Sequence, residues 1–234
     1  MAIRAELIEF RLSTLEMEQG HYLDLLSLIS LIDDANRPKL LNMFHDSSER
    51  IAAARGSSNN HQAWVGGYLH HVTETMNIAC QLYKALNSVR KLPFSLSEAL
   101  EVMFLHDIEK PWKYSDLCRC GHHRSSHNQI NSASDASCGP CFQLGTQCDM
   151  YRMPELKTKE SRRKFRDEMI RQYKVLLSAD QENALKYVEG VPDSEYTPGE
   201  RTMGELAAFC HSCDILSARL WHDKGKDVPA PHWE

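Results

Sequence analysis

The chain has no apolar run long enough to cross a bilayer. Its longest apolar stretch, residues 23–32, is interrupted by one aspartate and two serines, and it falls far short of the ~20 residues of a membrane-spanning helix. The first residues show no basic segment followed by an apolar core, so we expect no secretory leader. These absences predict a cytoplasmic protein without a membrane partner.

A strong charge of either sign is also missing. The 27 lysines and arginines and 32 aspartates and glutamates give a formal net charge of −5 at pH 7. Such a balance provides no general attraction to nucleic acid or to an anionic membrane surface. A small molecule is therefore a more natural partner than nucleic acid, and a homo-oligomer remains an open alternative.

The alternating apolar and polar pattern of a half-buried strand does not occur over a useful length, and no internal repeat is present. Apolar residues instead recur with a period near 3.6, which predicts an all-α fold. We expect helices at about 3–18, 21–35, 38–55, 68–89, 99–110, 155–177, 179–188 and 205–221. Ser95-Leu96-Ser97-Glu98 predicts a capping box that opens the helix with the segment 99–110. The length fits one domain of ordinary core size, with N-terminal helices (1–55) packed on a main domain (56–234).

The strongest chemical signal is the dyad His106-Asp107 within the predicted helix 99–110. His71 lies in the helix before it and Asp214 in the last helix, both among apolar residues. An unpaired carboxylate buried there would be unfavourable, so Asp214 needs an ion or a metal. Imidazole and carboxylate ligands suit Mn, Fe, Ni, Co, Zn or Mg. Alone, the dyad could equally be a hydrogen-bonded histidine beside a helix-end charge.

Two segments around these residues resemble the HD superfamily of metal-dependent phosphohydrolases. They are Gly66-Gly67-Tyr68-Leu69-His70-His71-Val72 and Phe104-Leu105-His106-Asp107-Ile108-Glu109-Lys110. The resemblance covers roughly residues 60–112 and 200–221. It implies an HD-domain-like helical bundle and a catalytic divalent metal, for which Mn, Mg, Co, Ni or Fe are candidates.

The same resemblance implies the metal ligands His71, His106, Asp107 and Asp214. It also places Asp107 to orient or deprotonate the attacking water and Lys110 near the phosphate, although Lys110 could simply be a helix C-terminal cation. His61 matches an additional active-site histidine of some branches, or else has a capping or surface role.

The chain departs from the family pattern at two points. Glu109 stands where the family often has glycine. The extra histidines that hold a second metal in some members have counterparts only at His122, His123 and His127, so we expect one catalytic metal. His211, one turn before Asp214, is another candidate site residue.

Residues 115–150 lack apolar periodicity and contain five of the eight cysteines. Cys118, Cys120, Cys138 and Cys141 form two closely spaced pairs, a spacing typical of structural zinc, and His127 could replace one of them. So polar a segment would need a metal to fold. We expect a zinc-binding insert that covers the site as a lid or wall; the alternative is a flexible loop.

Lysines and arginines are concentrated in the predicted helix 155–177. Such a run is usually a solvated helix face, although its arginines could also bind the phosphate of a nucleotide. The remaining cysteines, Cys80, Cys210 and Cys213, lie on apolar helix faces and are expected in the core.

These observations predict a metal-dependent phosphohydrolase that cleaves a phosphoester or phosphoanhydride of a nucleoside mono- or triphosphate. The choice of a nucleotide as the substrate rests on the family resemblance. Two alternatives stay open: a phosphodiesterase acting on a cyclic nucleotide or an oligonucleotide, and a non-enzymatic, zinc-stabilised binding module on an HD scaffold.

Overall fold

A computed structural model of the chain describes residues 22–58, 62–114 and 156–220. In chain order its helices are α1 (Leu25–Ser30), α2 (Arg37–Ala53), α3 (Gly67–Val89), α4 (Leu96–Leu105), α5 (Lys110–Lys113), α6 (Lys159–Gln172), α7 (Ala179–Tyr187) and α8 (Glu205–Leu220), with a 3₁₀ turn at Asp193–Glu195. These three ranges contain no strand, which confirms the all-α prediction. None of the helices within them has the length and apolar character needed to cross a membrane.

Serine and threonine caps set the starts of several helices. At α4 the Ser95 hydroxyl accepts a hydrogen bond from the Glu98 amide, and the Glu98 carboxylate accepts one from the Ser95 amide at 2.8 Å. This capping box satisfies amides that the first turn leaves without intrahelical partners. Equivalent boxes open α6 at Thr158 and α7 at Ser178.

Helix α3 lies at the centre of the bundle, in contact with α1, α2, α4 and α8, and α8 also packs against α4 and α7. A single hydrophobic core is shared by all of these helices. It includes Leu28 and Ile51, from the predicted N-terminal segment, together with Met76, Phe104 and Phe209. The side chains on both sides of residue 55 therefore contribute to one core.

The dyad does not lie inside a helix, contrary to our expectation of a continuous helix over 99–110. Helix α4 ends at Leu105, and residues 106–109 form a turn that leads into α5. Pro111 explains the interruption because it has no amide to donate to the carbonyl of Asp107. That carbonyl instead accepts a shorter-range bond from the Lys110 amide at 2.9 Å, as in a 3₁₀ turn.

Two glycines allow the chain to approach the start of α3 closely. A Cβ atom at Gly67 would lie 1.9 Å from the carbonyl oxygen of Gln62, and Gly66 has a φ of +81°. Gln62 itself is fully buried with a φ of 46°. The glycine pair therefore lets the segment before α3 fold back against the helix that carries His71.

A buried amide connects α4 to the segment between α6 and α7. Asn36 donates hydrogen bonds to Glu101 at 2.8 Å and to the Leu176 carbonyl at 2.7 Å, and it accepts one from the Leu176 amide. Gln181 of α7 donates to the same Glu101 oxygen at 2.8 Å. These bonds fix α4 relative to α7 one turn before the dyad.

Candidate metal centre

Four side chains from three parts of the chain lie close together between α3, α8 and the turn after α4. The Nε2 atoms of His71 and His106 lie 3.3 Å apart. An Asp107 oxygen lies 3.4 Å from the first nitrogen and 3.2 Å from the second. An Asp214 oxygen lies 3.2 Å and 3.7 Å from them. The structure thus brings together all four of the metal ligands implied by the HD resemblance.

The other ring nitrogen of each histidine is held by an acceptor. Nδ1 of His106 lies 2.7 Å from the carbonyl oxygen of Met103, so it must carry a proton and donate it. Nδ1 of His71 lies 3.1 Å from the Ser217 hydroxyl. That hydroxyl gives its own proton to Glu74 at 2.9 Å, so it accepts from His71. Both imidazoles therefore direct Nε2 toward the shared point.

Gln62 extends the hydrogen-bond chain that supports His71. The buried Gln62 amide donates to Glu74 at 2.9 Å and lies 3.3 Å from Ser217. Glu74 is itself 4% exposed, and these donors hold its carboxyl group in place. Such outer hydrogen bonds fix the tautomer and orientation of a histidine that binds a metal.

Charge interactions govern the ionisation of these groups. Burial alone would raise the pKa of Asp107, but the adjacent Lys110 and His106 outweigh it and hold that pKa well below its ordinary value. For Asp214, hydrogen bonds to His106 and His71 likewise overcome burial and lower the pKa. Burial would lower the pKa of His106, but Asp107 and Asp214 raise it to about 10. Without a metal, a proton on an imidazole balances the carboxylates.

The arrangement could hold a metal ion. Ligand atoms that share a metal at about 2.0–2.2 Å lie about 3 Å apart when they are neighbours, close to the separations found here. His71, His106 and Asp107 are buried and form a group that could hold a metal ion. Asp214 is not as buried as its apolar surroundings predicted, because one fifth of its side chain is exposed. It therefore marks the side of the centre nearer to solvent.

The basic helix α6 also contacts the dyad. Arg166 is 9% exposed and donates from Nη1 to the carbonyl oxygen of His106 at 3.3 Å. Arg162 lies 3.9 Å from the buried Glu109. Burial and the charge of Asp107 raise the pKa of Glu109 to about 7. Part of this helix therefore faces the site, although the usual interpretation of such a run is a solvated face.

The other residues singled out in the sequence either lie outside the described part of the chain or make contacts away from the candidate centre. His61, His122, His123 and the proposed zinc ligands Cys118, Cys120, Cys138, Cys141 and His127 lie outside the described residues. Nδ1 of His211 lies 2.6 Å from the carbonyl oxygen of Val188, which gives that ring a packing role between α7 and α8. Cys210 and Cys213 are buried and free, as expected of core cysteines, and Cys80 is half-buried.

Sequence reasoning missed three residues that position the ligands: Glu74, Ser217 and Arg166. Glu74 follows His71 by three residues, and Ser217 follows Asp214 by three. This spacing places each on the ligand's own helix face, so it was a usable signal. The contact of Arg166 with a backbone carbonyl sixty residues away leaves no comparable pattern.

The chain was compared with protein-family models, curated proteins and solved structures, and none of them matches. The likeness to the HD superfamily therefore rests on the motif residues themselves.

Proposed function

We propose that the chain is an HD-type, metal-dependent phosphohydrolase that cleaves a phosphoester or phosphoanhydride of a nucleotide. The observation that carries this proposal is the convergence of His71, His106, Asp107 and Asp214 within 3.2–3.7 Å contacts. A purely structural core has no need for two carboxylates and two imidazoles that face one another. Metal ligation is the chemistry that best explains such a set.

Each residue then has a defined task. His71, His106, Asp107 and Asp214 hold the cation, which would stabilise charge on the phosphoryl oxygens and supply a water nucleophile at neutral pH. Asp107, the ligand beside Lys110, orients that water or accepts its proton. The ammonium group of Lys110 contacts Asp107 and would stabilise negative charge on the transferred phosphoryl group.

The cationic surroundings support a phosphorylated substrate. Lys110 lies at the centre, and Arg162 and Arg166 of α6 flank the dyad turn. Arginine is well suited to phosphate because its planar guanidinium donates two parallel hydrogen bonds. The choice of a nucleoside mono- or triphosphate rests on the family resemblance, and the physiological ion is proposed to be Mn, Mg, Co, Ni or Fe.

The activity is tested with metal-stripped protein reloaded separately with each ion and offered nucleoside mono- and triphosphates, cyclic nucleotides and short oligonucleotides. Asp107→Ala should lose at least about a thousandfold in phosphate release, because both a ligand and a proton acceptor are removed. Asp167→Ala, which removes an exposed carboxylate of α6, should retain activity.

The outcomes separate the alternatives. Turnover of cyclic nucleotides or oligonucleotides alone would assign a phosphodiesterase. Activity that survives in Asp107→Ala would indicate a contaminant. If the folded protein shows no turnover with any ion, the hydrolase proposal is refuted. That result would favour a non-enzymatic binding module on this scaffold.

We also propose a structural zinc ion in the insert at about 115–150, held by Cys118, Cys120, Cys138 and Cys141. The clustered cysteines support it. Zinc measured by elemental analysis should fall by one ion per chain in the double variant Cys138→Ser/Cys141→Ser. It should not change in Cys80→Ser, which removes a half-buried cysteine of α3. Equal zinc content in all three proteins would refute the site.

A further inference from the structure

A small pocket beside the dyad turn is lined by residues of α6, of α7 and of the segment that follows α7. Its described lining includes five cationic side chains and two acidic ones. The cations are Lys159, Arg162, Arg163, Arg166 and Lys186. The lining shares His106 with the metal centre, but His71, Asp107 and Asp214 are not among its described members. The pocket and the centre are therefore adjacent but distinct.

Arg166 contributes a buried guanidinium group to this pocket, and one of its donors lacks an acceptor among the described residues. One of its terminal nitrogens donates to the His106 carbonyl, while its Nε is buried and has no hydrogen-bond partner among the described residues. Nε of Arg162 is in the same state. A buried N–H without an acceptor is unfavourable by an amount comparable to a lost hydrogen bond. Both guanidinium groups therefore lack part of their hydrogen bonding among the described residues.

The charges also remain unbalanced after pairing. Arg162 pairs with Glu189 at 3.1 Å, and Lys186 pairs with Glu195 at 2.6 Å. Within the described part of the chain, neither Arg163 nor Arg166 has a carboxylate within ion-pair distance. Among the described residues, the Arg163 side chain donates a hydrogen bond to the Lys186 carbonyl at 3.3 Å. Two guanidinium groups thus line the pocket without an ion pair among the described residues.

We propose that this pocket binds a phosphate group. Phosphate supplies several acceptor oxygens and the missing negative charge, and arginine is its preferred planar partner. Glu109 and Glu189 also line the pocket, and their negative charges would repel an anion. Phosphate binding therefore requires both Arg163 and Arg166. The phosphate is either part of the nucleotide cleaved at the metal centre or belongs to a separate phosphorylated effector.

The site also has a physical link to the metal centre. A phosphate held by Arg166 would act on a side chain whose other contact is the backbone of His106. The proposal does not require the chain to be a hydrolase, because the pocket is defined without reference to turnover.

Binding of pyrophosphate, measured by calorimetry on the full chain at low salt, tests the site directly. The Asp107→Ala variant is included so that neither hydrolysis nor an intact metal centre is needed. We expect saturable binding in both proteins, weakened about tenfold or more by Arg166→Gln and by Arg163→Gln, because each removes charge-assisted hydrogen bonds. Arg163 is only half-buried, so its variant remains informative if Arg166→Gln fails to fold.

The matched control is Lys164→Gln, which removes one positive charge from the exposed face of the same helix. It should change the affinity less than twofold. Equal weakening in the control and in Arg163→Gln would overturn the proposal, since only the overall charge of the helix would then matter. Absence of saturable binding in the unmodified chain would overturn it as well.

A second titration identifies the source of the phosphate. In Asp107→Ala, a nucleoside triphosphate that displaces pyrophosphate would assign the pocket to the substrate's own phosphate chain. Simultaneous binding of the two would assign it to a separate effector. Failure of the hydrolase proposal leaves both titrations intact, so the two hypotheses are tested independently.

Discussion

Replacement of Glu101 by glutamine should abolish a large part of the pH dependence of stability. The Glu101 carboxyl is fully buried and receives hydrogen bonds from Asn36 and Gln181 on one oxygen. Burial and the neighbouring Asp34 raise its pKa from 4.5 to about 8. The folded protein therefore keeps a proton there at neutral pH, whereas the unfolded chain releases it.

The sign and size of the effect follow from linkage. A group whose pKa is raised on folding contributes stability that is fully present below its unfolded pKa and is lost as pH rises through the folded value. At 1.36 kcal/mol per pH unit, a pKa that rises from 4.5 to about 8 corresponds to a loss of about 5 kcal/mol. Hydrogen bonding to Glu101 lowers the pKa of Asp34, so Asp34 acts only at more acidic pH.

The assay is urea unfolding at several pH values from 5 to 9, with the free energy extrapolated to water. Glutamine keeps the acceptor oxygen for Asn36 and Gln181 and offers an amide donor toward Asp34, so the variant should fold and show a flatter curve. Glu182→Gln, an exposed glutamate on α7, should follow the original curve. If the curves of Glu101→Gln and the unmodified chain run parallel within about 1 kcal/mol, Glu101 is ionised in the fold and the reasoning is refuted.

Two further predictions concern the residues around the metal centre. Ser217→Ala should weaken affinity for Mn²⁺ or Co²⁺ about 10–100-fold in equilibrium dialysis, because Nδ1 of the histidine it holds loses its acceptor. Ser212→Ala, an exposed serine on the same helix, should bind as before, and an unchanged affinity in both would contradict the positioning role. Gly67→Ala should lower the free energy of unfolding by about 3 kcal/mol, since its Cβ would meet the Gln62 carbonyl; a stable variant in the same urea assay would show that this approach is not required.

Local signals made much of the helical framework predictable. The predicted limits of 68–89 for the third described helix differ by one residue from the observed Gly67–Val89, and the capping box at Ser95 appears where its sequence placed it. Both depend on residues close in sequence, namely an apolar stripe in the first case and a serine with a glutamate three residues later in the second. His71, His106, Asp107 and Asp214 were also predicted to form a site, from their residue types in apolar segments and from the family resemblance.

The turn at the dyad and the support of the ligands were harder to predict. The periodic pattern of residues 99–110 indicated one helix, whereas Pro111 acts on the backbone four residues before it and interrupts the ladder at Asp107. The contact between Arg166 and His106 joins a side chain to a carbonyl group, and carbonyl positions are set by the tertiary fold. Periodicity describes which face is buried, but it does not describe such a contact.

The net charge of the centre depends on what is bound at Nε2 of His106. Asp107 and Asp214 face one ammonium group, Lys110, so the described side chains leave one negative charge uncompensated while both imidazoles are neutral. Either a proton at Nε2 of His106, whose pKa is about 10, or a metal ion at the same atom can supply the missing charge. The two would compete at this atom, so we expect metal binding to release a proton and to tighten as pH rises. Because Nδ1 keeps its hydrogen bond to Met103 in both states, the ring need not turn when one replaces the other.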